Sequence, residues 1–215
     1  AAMCRGVFPP RELDTFTVVP YAMANRCRWL ELPAGEPVEA GIDVGAGGDR
    51  TCFVARAGPV ITRIESFRDP DPMTAVAALA GLIAETGVTR VKVDVTGIGW
   101  GLAGRLRELS AAHNPRGHAA GETTHGAEVV AVNFGAAARA PRRFANRRAE
   151  LWWGGRELSR LGGWDLGGLD DDAIAELCGP RFEILDSQGR IKVEPKAEVI
   201  ARLGRSPDVA DALLL

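Results

Sequence analysis

Residues 38–48 read VEAGIDVGAGG. Val38, Ala40, Ile42 and Val44 alternate with Gly41, Asp43 and Gly45, which is the two-residue period of a strand with one apolar face. The glycines that follow end the strand in a turn. Asp43 is the anomaly. Strand interiors disfavour aspartate, and under a layer of helices an unpaired carboxylate is costly. Alone, such a residue is either a satisfied core acid or part of a site.

Working outward, TCFVARAGPVITRIESF (51–67) predicts two further strands joined around Gly58-Pro59. DPDPMTAVAALAGLIAETG (69–87) is a helix with Asp and Pro at its start and Gly87 at its end. RVKVDVTGIG (90–99) is a strand in which Val91, Val93 and Val95 alternate with Lys92 and Asp94, and GWGLAGRLRELS (99–110) is a second helix. A polar, Gly-rich loop over 111–127 leads to a fifth strand, EVVAVNF (128–134). A long helix follows, entered near Phe144, then a short helix within 165–180 and a hairpin around Ser187-Gln188-Gly189. Lys196 to Leu203 is helical, and a terminal helix is expected with Ser206 as its cap and Pro207 at its first position. The order predicts an α/β fold, a mixed β-sheet flanked by helices. Residues 1–36, with a short helix near 20–30, read as an N-terminal arm or connector, and 37–215 as one domain.

The 215 residues suffice for a real core, and 46% hydrophobic with 25% charged residues describes an ordinary globular chain. A net charge of −2 rules out an overall basic field. Cys4, Cys27, Cys52 and Cys178 are widely spaced and form no C-x-x-C pair, so free thiols are expected rather than zinc or a disulfide framework. The first residues lack the apolar core of a signal peptide, and no apolar run is long enough to span a bilayer.

Asp94 repeats the anomaly of Asp43 in a second strand. Asp208 and Asp211 add two more acids one turn apart on one face of the terminal helix, SPDVADALLL. The helix dipole accounts for Asp208 better than for Asp211, whose neighbours are apolar. Gathered together, such carboxylates repel one another unless a cation neutralises them, and hard oxygen donors suit magnesium or manganese. Two such ions, about 4 Å apart, are a known device for phosphodiester cleavage. Asp43, Asp94, Asp208 and Asp211 are therefore the candidate metal ligands of a nuclease.

Four blocks in order resemble the nuclease domain of the large terminase subunit of tailed bacteriophages, in the ribonuclease H-like superfamily. They are GIDVGAGGDRT (41–51), VKVDVTGIGWGLAGRLRE (91–108), VNFGAAARAPRRFANRRAELWW (132–153) and RIKVEPKAEVIARLGRSPDVADAL (190–213). The resemblance runs from about residue 38 to the end, and the arm before it is similar to the connector from the ATPase domain. It implies a divalent-metal-dependent endonuclease that cleaves double-stranded DNA during genome packaging, using Mg2+ or Mn2+, with two ions expected. Asp43, Asp94 and Asp208 are the implied ligands. Asp211 is a fourth candidate, because Holliday-junction resolvases of this fold end in a similar Asp-x-x-Asp-Ala-Leu. Lys196 stands where the family often carries a lysine near the metal site. The implied partners are duplex DNA, the ATPase domain, the small terminase and the portal, with no membrane, and the implied place of action is the cytoplasm of a bacterial host. The chain lacks the phosphate loop G-x-x-x-x-G-K-[ST], so it cannot drive translocation by itself.

Arg139, Arg142, Arg143, Arg147, Arg148, Arg156 and Arg160 face only Glu150 and Glu157 between residues 139 and 160. A basic strip on a nearly neutral chain suits phosphate contacts without sequence reading, and the first five arginines are the candidate DNA-binding residues. A solvated helix face, or a docking face for another packaging protein, is the alternative. Trp152 and Trp153, with Leu151 and Leu158, read as core. Asp49 reads as a turn residue or a peripheral ligand, and His113, His118 and His125 as loop residues. Three other functions fit parts of the pattern: a junction resolvase, an actin- or sugar-kinase-like ATP-binding protein whose phosphate loop also opens on a strand Asp, and a non-catalytic packaging module.

Overall fold

The computed structural model describes residues 16–45, 50–68, 72–111 and 124–215. The chain forms two compact units. One comprises 34–133 with 211–213 and 215, and the other 1–33 with 134–210 and 214. Of the expected N-terminal arm, residues 16–33 group with 134–210 and residues 34–36 with the sheet unit.

The first unit is built on a five-stranded sheet. Its strands are β1 (Val38–Asp43), β2 (Thr51–Ala57), β3 (Val60–Phe67), β4 (Arg90–Asp94) and β5 (Glu128–Val132), in the order β3-β2-β1-β4-β5. β1 to β3 form an antiparallel meander, whereas β4 pairs parallel with β1 and β5 parallel with β4. Two helices, α2 (Pro72–Thr86) and α3 (Gly99–Leu109), supply the crossovers that parallel strands require. The alternation of each strand fixes which residues face those helices. Ala40, Ile42, Phe53, Ala55, Val91, Val93 and Val129 join Val76, Leu79, Ile83, Leu102 and Leu106 in one buried apolar cluster.

The opposite face of the same strands carries Glu39, Gly41 and Asp43 from β1 and Lys92 and Asp94 from β4. Glu39 is buried there among Arg56, Lys92 and Arg90, at 2.7, 3.0 and 3.3 Å. Burial alone pushes its carboxyl pKa upward, but the hydrogen bond and charge of Lys92, with the charge of Arg56, outweigh that and hold it below the ordinary glutamate value.

The second unit contains α1 (Tyr21–Cys27), α4 (Arg147–Leu161), α5 (Asp171–Leu177), the hairpin β6 (Phe182–Ile184) and β7 (Ile191–Val193), and α6 (Lys196–Leu203). Local chemistry sets its helix ends. Asn146 accepts the N–H of Ala149 at 2.9 Å to open α4, Gly162 closes it at φ 66, and Asp170 accepts the N–H of Ala173 at 2.8 Å to open α5. Trp152 is fully buried in this unit, as its place among apolar residues predicts, whereas Leu158 is 42% exposed and is not core.

The terminal helix, α7, spans Asp208–Leu214. The expected Ser206 cap is absent: its Oγ is buried without a hydrogen-bond partner. The N–H of Val209 donates instead to Oε2 of the buried Glu176 in α5, at 2.8 Å. A carboxylate from 33 residues away replaces the local cap.

Candidate metal centre

Ile42 pairs with Val93 across the parallel β1–β4 ladder, and both point into the apolar cluster. Asp43 and Asp94 are the next residue on each strand, so they occupy neighbouring positions and face the other way. Both are buried, at 3% and 9% exposure, and both end their strands. The carboxyl ends of parallel strands are where open α/β sheets place their ligand sites.

The turn after β4 fixes one of these acids. Oδ1 of Asp94 accepts the Thr96 backbone N–H at 2.9 Å and the Thr96 hydroxyl at 2.7 Å. Gly97 then takes φ 75, and Gly99 packs so tightly that an added Cβ would strike the Asp94 carbonyl oxygen. The same Cβ would lie 3.7 Å from Cγ2 of Val44, the residue after Asp43. The turn is thus seated between the ends of the two strands that carry the acids. Thr96 does not stand out in the sequence; the Asp-x-Thr spacing after a strand is its only signal.

Asp211 is fully buried, and residues 211–213 belong to the sheet unit. Gly41, two residues before Asp43 and on the same face of β1, has no room for a side chain because the Ala212 backbone occupies that space. The segment carrying Asp211 therefore packs on the face that carries Asp43 and Asp94.

Asp208 and Lys196 belong to the other unit, where Nζ of Lys196 lies 3.0 Å from Oδ1 of Asp208. Asp208 is buried and Lys196 half-buried. This lysine is thus engaged with a carboxylate and is not a solvated loop residue.

The arginine strip divides. Arg139, Arg142 and Arg143 are exposed. Arg147 pairs with Glu150 at 2.6 Å. Arg148 is a correction: it is 7% exposed, donates from Nη1 to the Glu194 carbonyl at 2.6 Å and lies over the Trp152 ring, so it has no surface to offer DNA. Arg156 donates to the carbonyls of Thr17 and Val18 and stacks against Trp153 and Phe182, while Arg160 pairs with Glu157. His125 is buried, with Nε2 3.1 Å from the Leu106 carbonyl and Nδ1 accepting the Ala127 N–H. Cys27, Cys52 and Cys178 are buried free thiols. Cys4, Asp49, His113 and His118 lie outside the described residues.

Among the described residues, no three His, Cys, Asp or Glu side chains form a set that could hold an ion. Magnesium does not need such a set, since it is commonly held by one or two carboxylates, its waters and the substrate phosphate. Asp43 and Asp94 fit that requirement in donor type and in placement. Among the described residues, no helix is long and apolar enough to cross a membrane.

The fold is similar to that of solved nuclease domains of large terminase subunits. A lysine-to-alanine variant of the nuclease domain of gp2 from bacterial virus Sf6, with manganese and beta-thujaplicinol, matches with a TM-score of 0.72 at 19% identity, over 92% of this chain and 96% of that one. The unsubstituted Sf6 domain matches with a TM-score of 0.70 at 18% identity, over 92% and 96%. The large terminase nuclease of thermophilic phage G20c with bound magnesium matches with a TM-score of 0.59 at 15% identity, over 93% and 95%. No protein-family model and no curated protein sequence matches the chain.

Proposed function

We propose that this chain is a divalent-metal-dependent endonuclease that cuts double-stranded DNA in phage genome packaging. The observation that carries the reading is the pair of buried carboxylates, Asp43 and Asp94, on one sheet face at the ends of adjacent parallel strands. Two buried carboxylates side by side repel one another, and a cation offsets that repulsion. The fold shared with nuclease domains solved with manganese or magnesium supports the same choice of ion.

Asp43 and Asp94 would hold the ion through carboxylate oxygens, and Asp211 enters as a further candidate because its segment packs on the same face. Asp208 enters this reading through the sequence resemblance alone. When bound, magnesium or manganese supplies an activated water and neutralises charge on the phosphate and the leaving oxygen. Thr96 would fix the orientation of the Asp94 carboxylate through its two hydrogen bonds to Oδ1. Lys196 holds Asp208 in place through their ion pair. Exposed Arg139, Arg142 and Arg143 meet the DNA backbone without reading bases. The ATPase domain, the small terminase, the portal and the cytoplasm of a bacterial host complete the reading, and they rest on the resemblance.

The test is cleavage of linear duplex by the purified chain with manganese or magnesium. Asp43→Asn should abolish cleavage while leaving DNA binding in place. Undiminished cutting by the variant, or cutting in excess chelator, would overturn the reading.

A further inference from the structure

The turn that seats Asp94 also presents two large apolar side chains to solvent. Ile98 is 43% exposed and Trp100 is 58% exposed, and they flank Gly99. Each is unusual where it stands. α3 buries Leu102, Ala103, Leu106 and Leu109 against the sheet, so the helix has its core face without Trp100. Nor is the turn loosely attached. Gly99 is wedged against the Asp94 carbonyl and beside Val44, and Thr96 is bonded twice to the Asp94 carboxylate. The two side chains are thus mounted on a braced support at the ends of the strands that carry Asp43 and Asp94.

We infer that Ile98 and Trp100 form an apolar prong that presses into the minor groove of duplex DNA beside the phosphate to be cut and opens a base step there. The inference rests on the nuclease reading, because the acid pair is what brings duplex to this edge of the sheet. Phosphates and groove edges offer an apolar side chain little, whereas a partly unstacked base step offers it an apolar surface. Proteins that bend DNA use such wedges and spend a few kcal/mol of unstacking per step to do so. Opening the step would kink the duplex toward its major groove and widen the minor groove beside the phosphate to be cut. Ile98 and Trp100 are positioning residues in this scheme and touch no reacting atom.

The experiment compares wild type, Trp100→Ala, Trp100→Phe and Ile98→Ala on two manganese-dependent substrates. One is an intact linear duplex. The other has the same sequence with a two-base mismatch at the cut site, already unstacked. Manganese affinity is followed by calorimetry for each protein. Trp100→Ala should cut the intact duplex about tenfold or more slowly, because the base step then opens without help. It should cut the mismatched duplex within about threefold of wild type, bind manganese normally, and regain most intact-duplex activity as Trp100→Phe; Ile98→Ala should show the same pattern more weakly. Equal cutting of the intact duplex by wild type and Trp100→Ala overturns the prong and leaves the nuclease reading standing. Equal losses on both substrates also overturn it, since a general structural defect acts that way. A wild-type chain that cuts neither substrate ends the nuclease reading and the prong with it.

Discussion

Gly41 of β1 and Ala212 of α7 are in backbone contact: a Cβ placed on Gly41 would fall on the Ala212 carbonyl oxygen and lie 2.9 Å from Cβ of Leu215. Gly41 is two residues from Asp43 and Ala212 is one from Asp211. The closeness of these two backbones is therefore what carries an acidic helix segment onto the acidic face of the sheet. Substitution of Gly41 by Ala should push the segment off. The expected destabilisation is of the order of 1–3 kcal/mol, the usual range for overpacking, read as a lower urea midpoint. Manganese affinity should fall with it. Unchanged stability and affinity would show that the helix yields freely.

Thr96 offers a second test that spares the fold. Thr96→Val keeps the volume but removes the hydroxyl that Asp94 Oδ1 accepts at 2.7 Å, leaving the backbone N–H bond at 2.9 Å. Partners that orient a metal ligand are typically worth about 10–100-fold in affinity. Calorimetry with manganese should show a loss at the lower end of that range, because one of the two bonds survives.

The arginines should separate by role. Removing Arg142 and Arg143 together should weaken duplex binding and flatten its salt dependence, with the folded state unaffected. The log–log slope should shrink by roughly 0.9 for each phosphate that is no longer neutralised. Arg148→Ala should do the reverse. It removes the partner of the Glu194 carbonyl and the guanidinium over Trp152, so the urea midpoint should drop while the salt slope of any remaining binding stays the same.

Acid should loosen the second unit through Glu194. Burial raises its pKa, but hydrogen bonds from Arg202 and from the Arg181 backbone outweigh that, and its pKa is held below the ordinary value of 4.5. A depressed folded pKa means that the unfolded chain takes up the proton first. The stabilisation is complete above about pH 4.5 and is lost as the pH falls through the lower, folded value. Urea midpoints measured from pH 7 to pH 3 should fall less steeply for Glu194→Gln than for wild type. A variant with the wild-type slope would show that Glu194 has no part in the acid response.

Legibility in the sequence follows the range of the interaction. β1, β4 and α6 are readable because alternation and flanking residues are local, and α6 begins at Lys196 and ends at Leu203 as expected. Asp43 and Asp94 are visible as misfits, but that they are neighbours depends on β4 pairing with β1, which no local pattern specifies. The start of α7 is legible to within a residue, Pro207 expected and Asp208 found, but its cap is not, because Glu176 comes from another helix. Arg148 misleads because charge counting along a chain is blind to the turn of a helix, which puts this one arginine inside. Ile98 and Trp100 escape notice because apolar residues after a glycine turn look like core; only their exposure sets them apart.

The proposed chemistry depends on a cation between two strand ends. A crystal soaked in manganese, with data collected at the manganese absorption edge, tests that directly. The expected result is an anomalous peak within about 2.0–2.3 Å of carboxylate oxygens of both Asp43 and Asp94, absent in Asp43→Asn. A wild-type crystal with no peak at those two residues, or with manganese bound only elsewhere, would contradict it.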